Sequence, residues 1–204
     1  MIRHHSRDGL AILTIDRPDR ANALTAEMLA TLTARLDDIA AGEDRAVILT
    51  GAGKVFSAGA DLDQVREGLA TSPEWERLSA RVSSMPCLTV AALNGTVAGG
   101  AMGMVLACDL RVAAPGIRLF YPVMRLGLLP QPSDPRRLAG LVGMARSKMM
   151  LMAGAKITAD EALAWGLVDR ISADPVAEAI ALAADCLSAS GDHVTAIKGM
   201  IGRG

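Results

Sequence analysis

The chain has 204 residues, enough for one domain with a substantial core and marginal for two. Hydrophobic residues make up 51% of it but aromatic residues only 2%, and the formal net charge is −1, with basic and acidic residues interleaved. This balance argues against a broad nucleic-acid footprint, and two Phe, two Trp and one Tyr provide no platform for stacking single-stranded bases.

Residues 10–16 (LAILTID) predict a short apolar strand ending at Arg17-Pro18. Thr25 suits an N-cap, Glu27 falls in the first turn, and Met28, Leu29, Leu32, Leu36 and Ile39 recur at helical spacing, so 26–41 is an amphipathic helix. Residues 46–50 (AVILT) form an apolar strand bounded by Gly51, and a long loop runs over 51–61. Helical sequence fills most of 62–85, residues 88–93 are a buried strand, 94–98 a turn and 99–108 an apolar helix. Residues 110–113 and 118–120 are short strands. Helices are predicted over 134–152 and 158–165, the second opened by the capping box Thr158-x-x-Glu161. A last strand covers 168–171, followed by helices over 175–189 and 192–201. Short strands, apolar on both faces and separated by helices, predict an α/β fold with buried strands.

Cys87, Cys108 and Cys186 are odd in number, far apart and set in apolar sequence, which predicts reduced, buried thiols in a cytoplasmic protein. A nucleophilic cysteine would need a histidine partner, and the histidines, His4, His5 and His193, all lie near the chain ends, so the structural reading of the cysteines is preferred. Residues 1–9 are polar and carry both signs of charge, unlike a signal peptide. Residues 82–108 carry no charge, but Pro86, Asn94, Gly95, Gly99, Gly100 and Gly103 break them into strand, loop and helix, so no membrane span is predicted. Gly51-Ala-Gly-Lys54 fails as a phosphate loop, because Ile48 stands where the first glycine is needed and Val55 where Ser or Thr is needed. There is no hydrolase elbow around Ser57 and no His/Cys spacing for a metal.

Two glycine-rich segments follow strands: Phe56-Ser-Ala-Gly-Ala-Asp61 and Asn94-Gly-Thr-Val-Ala-Gly-Gly-Ala-Met-Gly103. Singly, each reads as a tight turn with close helix–strand packing. Together with RPDRANALT, AVILTGAGKVFSAGADL, CDLRVAA, PVMRLGLLP and GAKITADEALAWGLVDRI, in that order, they closely resemble the enoyl-CoA hydratase/isomerase (crotonase) family from about Leu10 to Lys198. The resemblance implies repeated ββα units wound into a spiral core. It also implies an acyl-coenzyme A thioester as ligand, with no cofactor besides the coenzyme A of the substrate.

In the family pattern two backbone N–H groups stabilise the enolate oxygen of the thioester, and they map onto Ala60 and Gly100. Ala58, Gly59, Asp61, Leu62, Gly99, Gly103, Pro122 and Val123 are the implied substrate-binding positions, and Arg17 and Arg20 flank the turn where the family holds part of the coenzyme. Hydratases of the family carry one Glu where this chain has Gly103 and a second where it has Val123. Water addition needs groups to deprotonate water and protonate carbon, so ordinary hydration is not expected.

Two side chains are candidates to replace them. Tyr121 precedes Pro122, and Asp134 lies in Pro130-Gln-Pro-Ser-Asp-Pro-Arg-Arg137, a loop in which some relatives, such as dienoyl-CoA isomerases, place a catalytic Asp. Asp134 has two readings, an acid/base and a helix N-terminal residue before Pro135. Arg125 is either a partner for a substrate carboxylate or a surface residue, and Met102, Met104, Met149, Met150 and Met152 either line an acyl pocket or fill the core.

The function these residues imply is an acyl-CoA enzyme of isomerase, lyase or decarboxylase type, or alternatively a non-catalytic acyl-CoA-binding protein. A homo-oligomer is expected, without nucleic-acid or membrane partners. The core is expected over 1–190, and 191–204 as a short remnant of the family's C-terminal helices, which weakens the expectation of a trimer.

Overall fold

Apolar runs of four to six residues supply the central strands of one sheet, and strands of two or three residues make a second. A computed structural model describes residues 1–202; Arg203 and Gly204, at the end of the expected C-terminal remnant, lie outside the described residues. The strands are β1 (Ile2–Arg7), β2 (Leu10–Ile15), β3 (Ala46–Gly51), β4 (Val55–Ser57), β5 (Leu88–Leu93), β6 (Thr96–Ala98), β7 (Leu110–Ala113), β8 (Arg118–Phe120), β9 (Ile157–Thr158) and β10 (Arg170–Ile171). The helices are α1 (Ala26–Ala41), α2 (Leu62–Val65), α3 (Glu74–Ser83), α4 (Ala101–Ala107), α5 (Val123–Leu126), α6 (Asp134–Val142), α7 (Met144–Leu151), α8 (Ala159–Trp165), α9 (Pro175–Leu182), α10 (Ala184–Ser188) and α11 (Gly191–Ile201).

The larger sheet has the order β1-β2-β3-β5-β7-β10 and the smaller β4-β6-β8-β9. All pairs are parallel except β1 with β2 and β8 with β9. The pairs β3/β4, β5/β6 and β7/β8 each give one strand to the larger sheet and the next to the smaller before leaving into helices. This is the α/β spiral of ββα units that the sequence resemblance implies.

Close backbone approach between units explains one of the glycines. A Cβ on Gly95 would lie 2.1 Å from the Lys54 carbonyl oxygen. Beside it, Asn94 Nδ2 donates to the Gly53 carbonyl at 2.9 Å and its Oδ1 accepts from Gly51 N–H at 3.0 Å, so one side chain ties successive units together.

The central strands of the larger sheet are buried on both faces, as their unbroken apolar runs predict. One face (Leu13, Ile15, Val47, Leu49, Ala91, Leu93) joins the cluster containing Leu29, Leu32 and Leu36 of α1, Leu78 of α3 and Met102 of α4. The other (Ile48, Val90, Ala92, Val112) packs on Ala179 of α9. Each fully buried Leu or Ile adds about 1.5–3 kcal/mol over its exposed state.

Several boundaries differ from expectation. β1 is exposed and polar, so periodicity did not reveal it; it is set by the Asp8-Gly9 turn, both residues at positive φ, which folds it back on β2. β4 and β6 are three residues long and lie inside segments that read as loop and turn. The helix expected over 134–152 breaks at Gly143, where φ is +81°, and that over 175–189 breaks at Ala183. The region 62–85 is mostly helical as expected, divided into α2, a single 3-10 turn and α3.

Cys87 and Cys108 are buried, but Cys186 is only half-buried, contrary to the sequence reading. Burial pushes the Cys87 thiol up to about 11 and that of Cys108 up to about 12. No helix among the described residues is long and apolar enough to cross a membrane.

Candidate active site

Adjacent parallel strands deliver the two glycine-rich loops side by side. β4 pairs with β6 through Val55 to Thr96 and Ser57 to Val97, so the residues after Ser57 and after Ala98 emerge at the same sheet end. The backbones then touch: a Cβ on Gly59, where φ is +93°, would stand 2.8 Å from the Ala98 carbonyl oxygen and 3.4 Å from Gly100 nitrogen. Only glycine allows that approach.

Around this contact four backbone donors have partners inside the protein. Ala58 N–H donates to the Ala21 carbonyl at 3.0 Å, Gly59 N–H to Ser57 Oγ at 3.1 Å, Asp61 N–H to the Leu24 carbonyl at 2.9 Å and Gly99 N–H to the Phe120 carbonyl at 3.2 Å. Ala60 N–H and Gly100 N–H have no acceptor among the described residues, and both residues are part-exposed. Both N–H groups are open to an acceptor from outside the protein.

The Asp61 carboxylate is directed into the protein. It is buried, accepts from Arg17 Nη1 at 2.6 Å, and caps α2 by accepting from Asp63 N–H at 3.0 Å and Gln64 N–H at 3.3 Å. The hydrogen bond from Arg17 holds its carboxyl below its ordinary value. Asp61 and Arg17 therefore brace the loop that carries Ala60, and Arg20 pairs with Asp63 and lies near Asp61 on the outer side. Leu62, next in the chain, is 78% exposed and Ala58 is also exposed.

Gly103 lies one turn beyond Gly100, on the same side of α4. The residue that covers it is Asp134: a Cβ on Gly103 would be 3.1 Å from both carboxylate oxygens. Asp134 is 1% exposed. Tyr121 Oη donates to its Oδ2 at 2.9 Å, while Oδ1, 4.0 Å from Arg137 Nη1, has no hydrogen-bond partner. Burial is the main cause that pushes the Asp134 carboxyl up to about 6; the Glu76 carboxylate adds to it, and Tyr121 and Arg137 work against it. Burial and the neighbouring Asp134 raise the Tyr121 phenol strongly. Asp134 is also the first residue of α6, with Pro135 next, which is the helix N-terminal placement given by one of its two sequence readings.

Two residues of α3 complete the site and escaped the sequence analysis. Trp75 packs its indole against Gly100, with ring atoms 3.0 Å from where a Cβ would stand. Glu76 accepts from Ser133 N–H at 3.1 Å and from Ser133 Oγ, and Arg137 Nη1 donates to Ser79 Oγ at 2.9 Å, so α3 and α6 are clasped beside Asp134. No spacing rule connects residue 75 to 100 or 76 to 133; the only signal was that Trp75 is one of two tryptophans in the chain.

The remaining candidates sit at the edges. Val123 is buried as the first residue of α5 and Pro122 is half-buried. Arg125 is exposed and, with Pro122, Met124, Met152 and Lys156, lines a cavity of about 290 Å³ that Ala60 and Gly100 do not line. Met102, Met104 and Met150 are core residues, whereas Met149 and Met152 are exposed. Among the described residues no group of three or more His, Cys, Asp or Glu side chains is arranged to hold a metal.

Comparison with known proteins identifies the family. The family model described as enoyl-CoA hydratase/isomerase matches residues 5–203. The chain belongs to the enoyl-CoA hydratase/isomerase (crotonase) family. A Bacillus subtilis protein, YngF, whose name places it among enoyl-CoA hydratases/isomerases, is 38% identical over 196 residues, covering 89% of this chain and 73% of its own. A Thermus thermophilus protein named for enoyl-CoA hydratase is 39% identical over 172 residues, covering 80% and 68%. Among solved structures, Pseudomonas aeruginosa DspI is similar with a TM-score of 0.91 at 28% identity, covering 98% of this chain and 79% of that one. The enoyl-CoA hydratase of Bacillus anthracis gives 0.89 at 31% identity, covering 98% and 81%.

Within this family frame, the two positions that the sequence resemblance assigns to hydratase glutamates are a glycine and a valine. A buried carboxylate from a different helix lies over that glycine.

Proposed function

We propose that the protein is an acyl-CoA enzyme that moves a proton on an enolate intermediate, an isomerase-type reaction rather than standard hydration. The observation that carries this is the Asp134 carboxylate lying over Gly103, one turn along α4 from the unpartnered N–H of Gly100. A thioester oxygen bound by the N–H groups of Ala60 and Gly100 would gain two hydrogen bonds that strengthen as it becomes an oxyanion. In a 3-enoyl thioester so held, the Asp134 carboxylate takes a proton from C2 and the electron pair moves to the carbonyl oxygen as a dienolate. The same carboxyl returns the proton at C4, and the double bond comes into conjugation with the thioester. One carboxyl suffices for this shuttle, whereas hydration also needs a group to activate water.

An acid whose pKa is about 6 suits proton transfer in both directions near neutral pH. Tyr121 orients it through the 2.9 Å hydrogen bond and does not itself supply the proton, because its phenol is held neutral.

The test is exchange of C2 hydrogens of butyryl-CoA in deuterium oxide, read by mass spectrometry, alongside conversion of 3-hexenoyl-CoA to its conjugated isomer. Both reactions are expected in the wild type and lost in Asp134→Asn, with thioester binding retained. Binding without exchange or isomerisation in the wild type would instead leave a non-catalytic acyl-CoA binder.

A further inference from the structure

We infer that Trp75 determines specificity at this site and restricts it to short acyl groups, on the reading above that Ala60 and Gly100 hold the thioester oxygen. A Cβ on Gly100 would stand 3.0 Å from Cδ2 and Cε3 of the indole and 3.1 Å from Cε2, so the ring lies in van der Waals contact with Gly100 itself. The ring is held in place: Trp75 is 3% exposed and its Nε1–H donates to the Leu69 carbonyl at 2.9 Å, in the turn before α3. One turn further along α4, the Asp134 carboxylate covers Gly103. The indole and the carboxylate thus cover neighbouring positions of α4, and a thioester carbon placed on the two N–H groups has its acyl substituent close to both.

Both side chains adjoin the apolar core: Trp75 belongs to its cluster, and Tyr121 of the same cluster donates to Asp134. Leu69, Leu78, Tyr121 and Leu138 are buried in the same apolar cluster as Trp75. The cavities of about 190 to 890 Å³ that open elsewhere on the protein are lined by none of Ala60, Trp75, Gly100 and Asp134. A close-packed interior accommodates added methylenes only by displacing side chains. In an open apolar channel each methylene strengthens binding about fourfold. Against the Trp75 wall that gain ends within a few carbons and then reverses.

The experiment is calorimetric titration of the full chain with acetyl-, butyryl-, hexanoyl- and decanoyl-CoA, for the wild type, Trp75→Phe and Trp75→Ala. In the wild type the affinity is expected to peak at butyryl- or hexanoyl-CoA, with decanoyl-CoA at least about tenfold weaker. Trp75→Ala moves the peak to decanoyl-CoA, and Trp75→Phe, the milder change should the alanine variant fail to fold, moves it part of the way. Wild-type affinity that climbs steadily through decanoyl-CoA overturns the inference and leaves the acyl-CoA reading standing. An unmoved peak in a folded variant also overturns it, by placing the limit on another residue. No binding of any of these thioesters by a folded wild type overturns the acyl-CoA reading and this inference with it.

Discussion

The carboxylate of Asp134 lies over the side of Gly103 where a side chain would begin: both oxygens stand 3.1 Å from that point. Glycine at 103 and aspartate at 134 are therefore a matched pair. Gly103→Ala is expected to push Asp134 off Tyr121 and destabilise the protein by about 1–3 kcal/mol, measurable by urea unfolding. Gly103→Glu, which restores the type of residue hydratases carry there, puts a second carboxylate onto the first. It is expected to lower stability further and to give no hydration of crotonyl-CoA. A hydration rate of about 1–10³ s⁻¹, in the range of ordinary enzymes, would refute this account of the site.

Asp134 sets a characteristic pH dependence. Its carboxyl is raised from 3.8 to about 6 in the fold, so the native state keeps a proton that the unfolded chain gives up between those values. The stability linked to that proton is fully present below about 4 and lost as pH rises through about 6. Asp134→Asn keeps an acceptor for Tyr121 without the charge. The variant is expected to be more stable than wild type by about 1–3 kcal/mol at neutral pH and to show no such gain in acid. Chemical denaturation at the two pH values checks the sign.

Tyr121→Phe removes the hydrogen bond that favours the ionised form of Asp134. The pH midpoint for C2 hydrogen exchange should move to higher pH than in wild type. Stability at neutral pH should fall by about 1–2 kcal/mol, because the buried carboxylate loses its donor. A midpoint that stays in place would show that Asp134 is not the titrating base.

Arg17→Ala tests the brace under Ala60. The Asp61 carboxyl is held below its ordinary value chiefly by its hydrogen bond with Arg17, so that pair contributes stability at neutral pH that disappears on acidification. Calorimetric melting should show the gap between wild type and variant widest at neutral pH and closing in acid. Thioester affinity should fall with it, since the loop carrying Ala60 N–H loses its anchor.

Much of the site was legible in the residues because it consists of main chain. Gly59, Ala60, Gly99 and Gly100 sit where two strand ends meet; each glycine-rich run alone reads as a tight turn, and the order of motifs that resembles the family is what brought the two runs together. Likewise α1 follows its apolar spacing and its Thr25 cap, and α8 its capping box, because helix periodicity and capping are local. Short strands such as β4 and β6 carry too few residues for a pattern, and β1 is polar because it lies at the sheet edge.

The sequence by itself determined the family and, through the family resemblance, the α/β spiral. Both follow from the order of motifs along the chain. Only the tertiary structure decided that Asp134 covers Gly103, that Tyr121 holds it, that Trp75 packs on Gly100 and that Asp61 turns inward to Arg17. Those four relationships join residues on different helices and loops. They are set by how α3 and α6 cross α4 and by how the Asp61 loop folds against Arg17, and helix crossing and loop docking depend on the packing of the whole core rather than on the spacing of any one segment.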